Sequence, residues 1–311
     1  MLGSVLDAED AVQEAFLRAW RGRDSFEGRS GLGTWLHSIG THICLDLLKR
    51  RKRRGIPITR EAASTLEQPI PPSVEEPVWL EPFPDDLLPA EIGAPAAQGN
   101  DPEQLLAARE HIALAFIAVL HLLPPRQRAV LLLRDVLDWQ ASEVAAHLNM
   151  TVAAVKSALH RARTTLDERR YSPPAPADAP PVMLADYVMA WENADIDGLV
   201  RLLTDDATFS MPPIPSWYQG HEAIRGLTAR TVFGGGAAAV GRWRLLPARA
   251  NLQTAFGLYR LGATPGVYHA YGIQVLTGRG TAQGTLIADI ITFRVPSLFA
   301  YFNLPLVHAG Q

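Results

Sequence analysis

The stretch WQASEVAAHLNMTVAAVKSALHRAR, residues 139–163, carries the sharpest pattern in the chain. Two short runs with helical spacing flank Asn149. A helix-turn-helix needs a small residue where its helices touch, a turn residue tolerant of positive φ, and an apolar anchor in the second helix. Ala145, Asn149 and Val155 supply these in that order, and Asn is the best non-glycine choice for a left-handed turn position. Ser142 and Thr151 stand where N-caps belong. Beyond the turn, Thr151, Lys156, Ser157, His160, Arg161 and Arg163 put cations and hydrogen-bonding groups on the second helix, suited to phosphates and base edges in a major groove. A merely solvated basic helix would not need turn chemistry, caps and cations to agree in this way.

Outward from this motif the chain divides by charge. Its 311 residues predict two or three compact units. The 29 Lys and Arg against 32 Asp and Glu leave a net charge of −3, yet residues 1–54 and 104–170 are basic and residues 55–103 strongly acidic. Two basic segments around an acidic one are the layout expected when part of a chain meets nucleic acid. The single Cys44 excludes an internal disulfide framework and a multi-cysteine zinc site, and nothing calls for a cofactor or another metal. No apolar run is long enough to span a membrane and no signal peptide opens the chain, so a soluble cytoplasmic protein is expected.

Residues 5–21 place apolar groups three and four apart, with acids early and arginines late, predicting an amphipathic helix whose charges complement its dipole. A second helix is expected over 34–54, closing in six consecutive cations, KRRKRR. Residues 56–103 are proline-rich and acidic and read as a mostly irregular linker, in which Trp79, Leu80, Phe83, Leu87 and Leu88 are apolar groups able to dock on a surface. Helical spacing returns over 105–122, 126–137, 142–148 and 151–168. After a second proline-rich linker, 172–181, one or two helices (184–194, 196–203) precede alternating runs at 207–211, 241–246, 255–261, 266–276 and 283–295. Helices followed by several antiparallel strands predict an α+β domain over 182–304.

Residues 104–171 resemble region 4 of bacterial RNA polymerase sigma factors, through LPPRQR (123–128) and RAR (161–163), in the form typical of the extracytoplasmic-function (ECF) group. Residues 1–55 resemble region 2 of that group, through DAEDAVQEAF (7–16), TWL (34–36) and CLD (44–46). Residues 182–304 resemble the SnoaL-like (nuclear transport factor two-like) cone, through WENADIDGL (191–199), LLTDDA (202–207), WYQGHEAI (217–224) and the closing LFAYFNLP (298–305) found in sigma factors that carry this appendage. The implied fold is multidomain: all-α region 2 and region 4 domains plus a C-terminal α+β cone.

The resemblance implies a subunit without catalytic residues that binds core RNA polymerase at its clamp helices and flap and directs it to promoter DNA. Asp10, Gln13 and Glu14 are the expected polymerase contacts. Phe26, Arg29, His42, Lys49, Arg50 and Arg53 are the expected −10 readers, with His42 standing where relatives usually carry Asn, and the helix-turn-helix residues read the −35 element. The linker is expected to thread the active-site cleft and RNA exit channel. A further helix is expected upstream of Met1, making this region 2 a shortened one. In the cone, Trp217, Tyr218, His221, Trp243, Tyr259 and Asp289, with Tyr271 as a further apolar candidate, are the expected lining of a small-molecule pocket in a regulatory module. Two alternatives are a stand-alone, ligand-gated helix-turn-helix regulator and a SnoaL-like isomerase or cyclase. The latter would use Asp206, His221, His269 or Asp289 as general base.

Overall fold

The computed structural model describes residues 1–26, 28, 31–50, 56–57, 62–74, 79–88, 117–118, 120–168, 180–282 and 284–310. Two compact units are present, one formed by Met1–Gly55 with Ile117–Tyr171, the other by Ile56–Phe116 with Ser172–Gln311. The helix expected over 105–122 and the linker at 172–181 lie almost wholly outside the described residues.

In the first unit, α1 (Val5–Gly22) starts at Ser4, whose hydroxyl accepts the Asp7 amide at 3.3 Å. It packs on α2 (Leu32–Arg50) through Ala11, Ile43, Ile39 and Leu47. Pro125 occupies the first turn of α3 (Pro125–Leu131), where its fixed φ suits a helix and its missing amide costs nothing. The single helix expected over 126–137 is not continuous. From Leu132 to Val136 the backbone widens into a π turn, closed by the Leu137 amide on the Leu132 carbonyl, five residues back. Arg134 donates to the Trp139 carbonyl and so holds the loop that follows.

The helix-turn-helix consists of α4 (Ala141–Leu148) and α5 (Val152–Glu168). Asn149 adopts φ 52° and ψ 53°, the left-handed turn its side chain tolerates. Thr151 caps α5 through the Ala154 amide at 3.1 Å. Ser142 does not cap α4. Glu143 reaches back to the Gln140 amide at 2.7 Å, which makes Gln140 the cap and starts the helix one residue before Ser142. Val144, Ala145, Leu148, Val155 and Ala158 then close a core with Ala129, Val130 and Leu133 of α3 and its π turn.

The second unit opens with α6 (Pro181–Glu192) and α7 (Ile196–Arg201), the latter capped by Asp195 on the Gly198 amide at 2.8 Å. The strands β1 (Leu203–Ser210), β2 (Trp217–Gln219), β3 (Trp243–Ala250), β4 (Gln253–Leu261), β5 (Val267–Thr281), β6 (Gly284–Phe293) and β7 (Val307–Ala309) form one sheet in the order β2-β1-β6-β5-β4-β3, with β7 on β5; α8 (His221–Arg230) lies between β2 and β3. The sheet is not wholly antiparallel: β1 runs parallel to β6, with Phe209 opposite Ile290. An odd number of direction reversals between those two strands in the sheet would have made the pair antiparallel, but the chain leaves β1 through β2 and α8 before the β3–β6 meander begins. Tyr187 and Trp191 of α6, Leu227 of α8 and Trp243, Phe256, Leu276 and Ile290 of the sheet fill the core between the layers.

Residues 62–74 and 79–88 of the acidic segment pack on this sheet domain. Leu80 is fully buried and Trp79 nearly so, while Leu87 stays exposed. The Ser64 amide donates to the Trp217 carbonyl at 2.8 Å and that of Val74 to the Pro213 carbonyl at 3.0 Å. Leu66 lies against Gly226, where any Cβ would overlap it. The β3–β4 turn makes the tightest hold: Asn251 and Leu252 both have positive φ, the geometry of a type I′ hairpin. The Asn251 amide donates to the Phe83 carbonyl, its side chain accepts the Phe83 amide, and the Leu252 amide donates to Asp85, which also pairs with Arg249.

Candidate functional site

The helical period of α5 buries Val155, Ala158 and Ala162 and turns Lys156, Ser157, His160 and Arg161 to solvent with Thr151 at the entry. All six expected −35 readers are therefore exposed, Arg163 among them. Arg161 donates to the Ser157 hydroxyl at 2.6 Å, so the two are presented together. Arg163 differs. It grips Asp135 of the π turn at 2.8 and 3.1 Å, a bidentate bond that holds its guanidinium above the usual Arg range and ties α5 to the preceding element. Asp135 carried no sequence signal, because the widened turn that aims it is not visible in a period of three and four.

Behind this face, Arg128 is 1% exposed. Its guanidinium donates to the carbonyls of Leu120, His121, Leu123 and Met1 at 2.7–3.3 Å. The second arginine of LPPRQR thus closes the backbone acceptors ahead of α3, and a buried cation is tolerated because its donors are satisfied.

On α1, Asp10 and Gln13 are exposed and Glu14 is half-buried, pairing with Arg18 at 2.7 Å. Beside them Val12, Phe16, Leu17 and Trp20 stand more than half exposed, Trp20 at 70%. So much uncovered apolar area on one helix marks an interaction surface rather than scattered surface residues. Phe26 stacks on Trp35 with ring centres 4.9 Å apart, and Trp35 is half-buried rather than in the core. Lys49 pairs with Asp46 at 2.8 Å. Arg29, Arg53 and the Arg50 side chain lie outside the described residues. His42 is exposed at its own helix, its Nδ1 2.9 Å from the Ser38 carbonyl. Its ring meets that of His147 of α4 edge-on at 5.1 Å, and Trp139 meets His147 at 5.3 Å. Burial first, then the charges of His42 and His37, push His147 down to about 4, and its Nε2 has no hydrogen-bond partner.

In the second unit the expected pocket residues separate. Only Trp243 and Tyr271 line the cavity of about 200 Å³ that Met211, Val232 and Arg294 also frame. Tyr218 belongs to the packed core and Trp217 is buried in β2 beside it. Tyr259 bonds the Pro305 carbonyl at 2.9 Å, His221 lies 3.3 Å from the Leu203 carbonyl at the start of α8, and Asp289 accepts from Thr208 across the parallel β1–β6 pair. Asp206 is paired with Arg279, which holds it below the usual carboxylate range, and His269 is exposed. Among the described residues the cavity lining contains no carboxylate and no imidazole. Among the described residues no cluster of metal-ligating side chains occurs, and no helix is long and apolar enough to cross a membrane.

These features define a promoter-recognition subunit: two helical segments, the second ending in a helix-turn-helix, joined to an α+β sheet domain. Family comparison agrees, with residues 1–54 matching sigma-70 region 2, residues 113–166 sigma-70 region 4 and residues 184–294 the SnoaL-like domain. The chain is 40% identical over 313 aligned positions to the ECF RNA polymerase sigma factor SigG of Mycobacterium tuberculosis, covering 98% of this chain and 79% of that protein. It is 28% identical to the ECF sigma factor SigW of Bacillus subtilis over 53% of this chain and 76% of SigW. The crystal structure of M. tuberculosis SigJ, 22% identical, matches with a TM-score of 0.58 over 98% of this chain and 92% of SigJ, a likeness of fold. The chain belongs to the ECF RNA polymerase sigma factor family and carries a C-terminal SnoaL-like domain.

Proposed function

We propose that this sigma factor binds core RNA polymerase in the cytoplasm through the apolar and acidic face of α1, reads the −10 element with α2 and the loop before it, and reads the −35 element with α5. The exposed row Lys156, Ser157, His160 and Arg161, aimed outward by a correctly capped helix-turn-helix, is the observation that carries the reading. The −35 and −10 elements are named for positions 25 base pairs apart, about 85 Å of duplex at 3.4 Å per pair. In the first unit His42 and His147 are 5.1 Å apart, too close for α2 and α4–α5 to reach both elements at once. The compact first unit is therefore a resting form that opens on polymerase.

The SnoaL-like domain acts as the regulatory module. Support comes from residues 79–88, part of the segment that joins the two promoter-reading regions, held by the β3–β4 turn through Phe83 and Asp85. A segment fastened there is not free to thread polymerase, so the domain competes with polymerase for it. In vitro transcription from a promoter library with core polymerase tests the reading: defined starts downstream of a shared two-part element, lost in K156A/R161A, support it. Specific DNA binding by the chain without polymerase, and no added transcripts with it, would favour a stand-alone regulator.

A further inference from the structure

The cavity in the sheet domain has an unusual charge balance. Arg242, Arg260 and Arg294 all line it, with no acidic side chain among the described residues of the lining. None of the three has an ion pair to a described carboxylate. Arg242 is spent partly on the Gly234 and Ala238 carbonyls. The Arg294 Nε is buried without a hydrogen-bond partner, an arrangement that proteins seldom leave in place. Its guanidinium lies 5.0 Å above the Tyr271 ring, and the Trp243 ring meets Tyr271 edge-on at 5.0 Å. The Trp243 indole N–H is already given to the Val232 carbonyl at 2.8 Å, so the ring offers the cavity only its apolar body. Ile70, from the held acidic segment, supplies another wall.

We propose that this cavity binds a small carboxylate with an apolar, preferably aromatic, body. The carboxylate sits between Arg294 and Arg260, where guanidinium forks match its planar pair of oxygens, and the body packs on Trp243, Tyr271 and Ile70. A cavity of about 200 Å³ has room for a single ring. The proposal deepens the reading of this domain as a regulatory module, because the ligand touches Ile70 of the segment the domain holds.

Calorimetric titration of the full chain decides it, using sodium benzoate, benzamide and inorganic phosphate as probes. Saturable benzoate binding is expected, with benzamide and phosphate at least tenfold weaker, and R260Q and R294Q each weakening benzoate tenfold or more. Arg260 is exposed, so R260Q keeps the fold and serves if R294Q does not. Absence of benzoate binding, equal binding of benzamide or phosphate, or a benzoate affinity unchanged in R260Q overturns the proposal. The readout is binding rather than transcription, so its failure leaves the promoter-recognition reading standing, and failure of that reading leaves the cavity chemistry intact.

Discussion

Acidification should loosen the first unit through one side chain. His147 of α4 sits half-buried against Trp139 and His42, and its burial together with the neighbouring imidazoles pushes it from 6.5 down to about 4. In the opened or unfolded chain the ring regains an ordinary value near 6.5, so between those two values the non-native state binds more protons. Stability conferred by the neutral ring is complete above pH 6.5 and is lost as pH falls toward 4. At about 1.36 kcal/mol per pKa unit the whole window amounts to roughly 3 kcal/mol. The ring keeps some solvent contact, which screens the effect to about 1–2 kcal/mol by pH 4.5. The assay is NMR titration of the His147 ring in the full chain, with hydrogen exchange of α2 and α4 amides at pH 7 and 4.5, beside H147Q. A midpoint near 4 is expected, with faster exchange at pH 4.5 in the parent chain than in H147Q. A midpoint near 6.5, or identical exchange in the two chains, would refute the reasoning.

Arg128→Met keeps an unbranched apolar stem but strips donors from three buried carbonyls and one partly buried one. At about 1–3 kcal/mol for each buried group left unpaired, and with partial relaxation, a loss of about 3 kcal/mol is expected in denaturant unfolding of the first unit; a loss below 1 kcal/mol would show that water replaces the guanidinium. K156A and R161A should weaken promoter binding by the holoenzyme and each reduce the salt slope by about one, an unchanged slope counting against phosphate contact. Asp85→Ala removes the acceptor of the Leu252 amide and the partner of Arg249. Hydrogen exchange and limited proteolysis should then show residues 79–88 opening at least tenfold more often, and no change would mean that burial of Trp79 and Leu80 and the Phe83–Asn251 bonds hold the segment without Asp85.

Much of the recognition chemistry was legible because it is local. Asn149 in the turn, Thr151 at the cap and the outward cations of α5 all follow from spacing within twenty-five residues, which a helical period of 3.6 translates directly into faces. The same locality explains the misplacements. A capping box moved the start of α4 from Ser142 to Gln140, since a Glu three residues along competes with a Ser for that role. Arg163, one of the expected DNA contacts, also pairs with Asp135, a partner 28 positions away that only the π turn brings near. In the sheet domain, aromatic and titratable residues were judged by type. Whether Tyr218 or Tyr271 faces the cavity depends on strand register, where a shift of one residue exchanges the two faces of a strand.

The sequence by itself determined the class of the protein, the order of its parts and the face of α5 that stays exposed, because these rest on periodicity, capping and charge along a single element. Tertiary structure alone decided where the acidic segment goes. Its prolines and carboxylates specify an extended, hydrated chain, and nothing in its own pattern names the Asn251–Leu252 turn, 167 to 168 residues on, that receives Phe83 and Asp85. The arginine-lined cavity has the same origin: Arg242, Arg260 and Arg294 are unremarkable at their separate positions, and converge only because β3, β4 and β6 close on one another through β5.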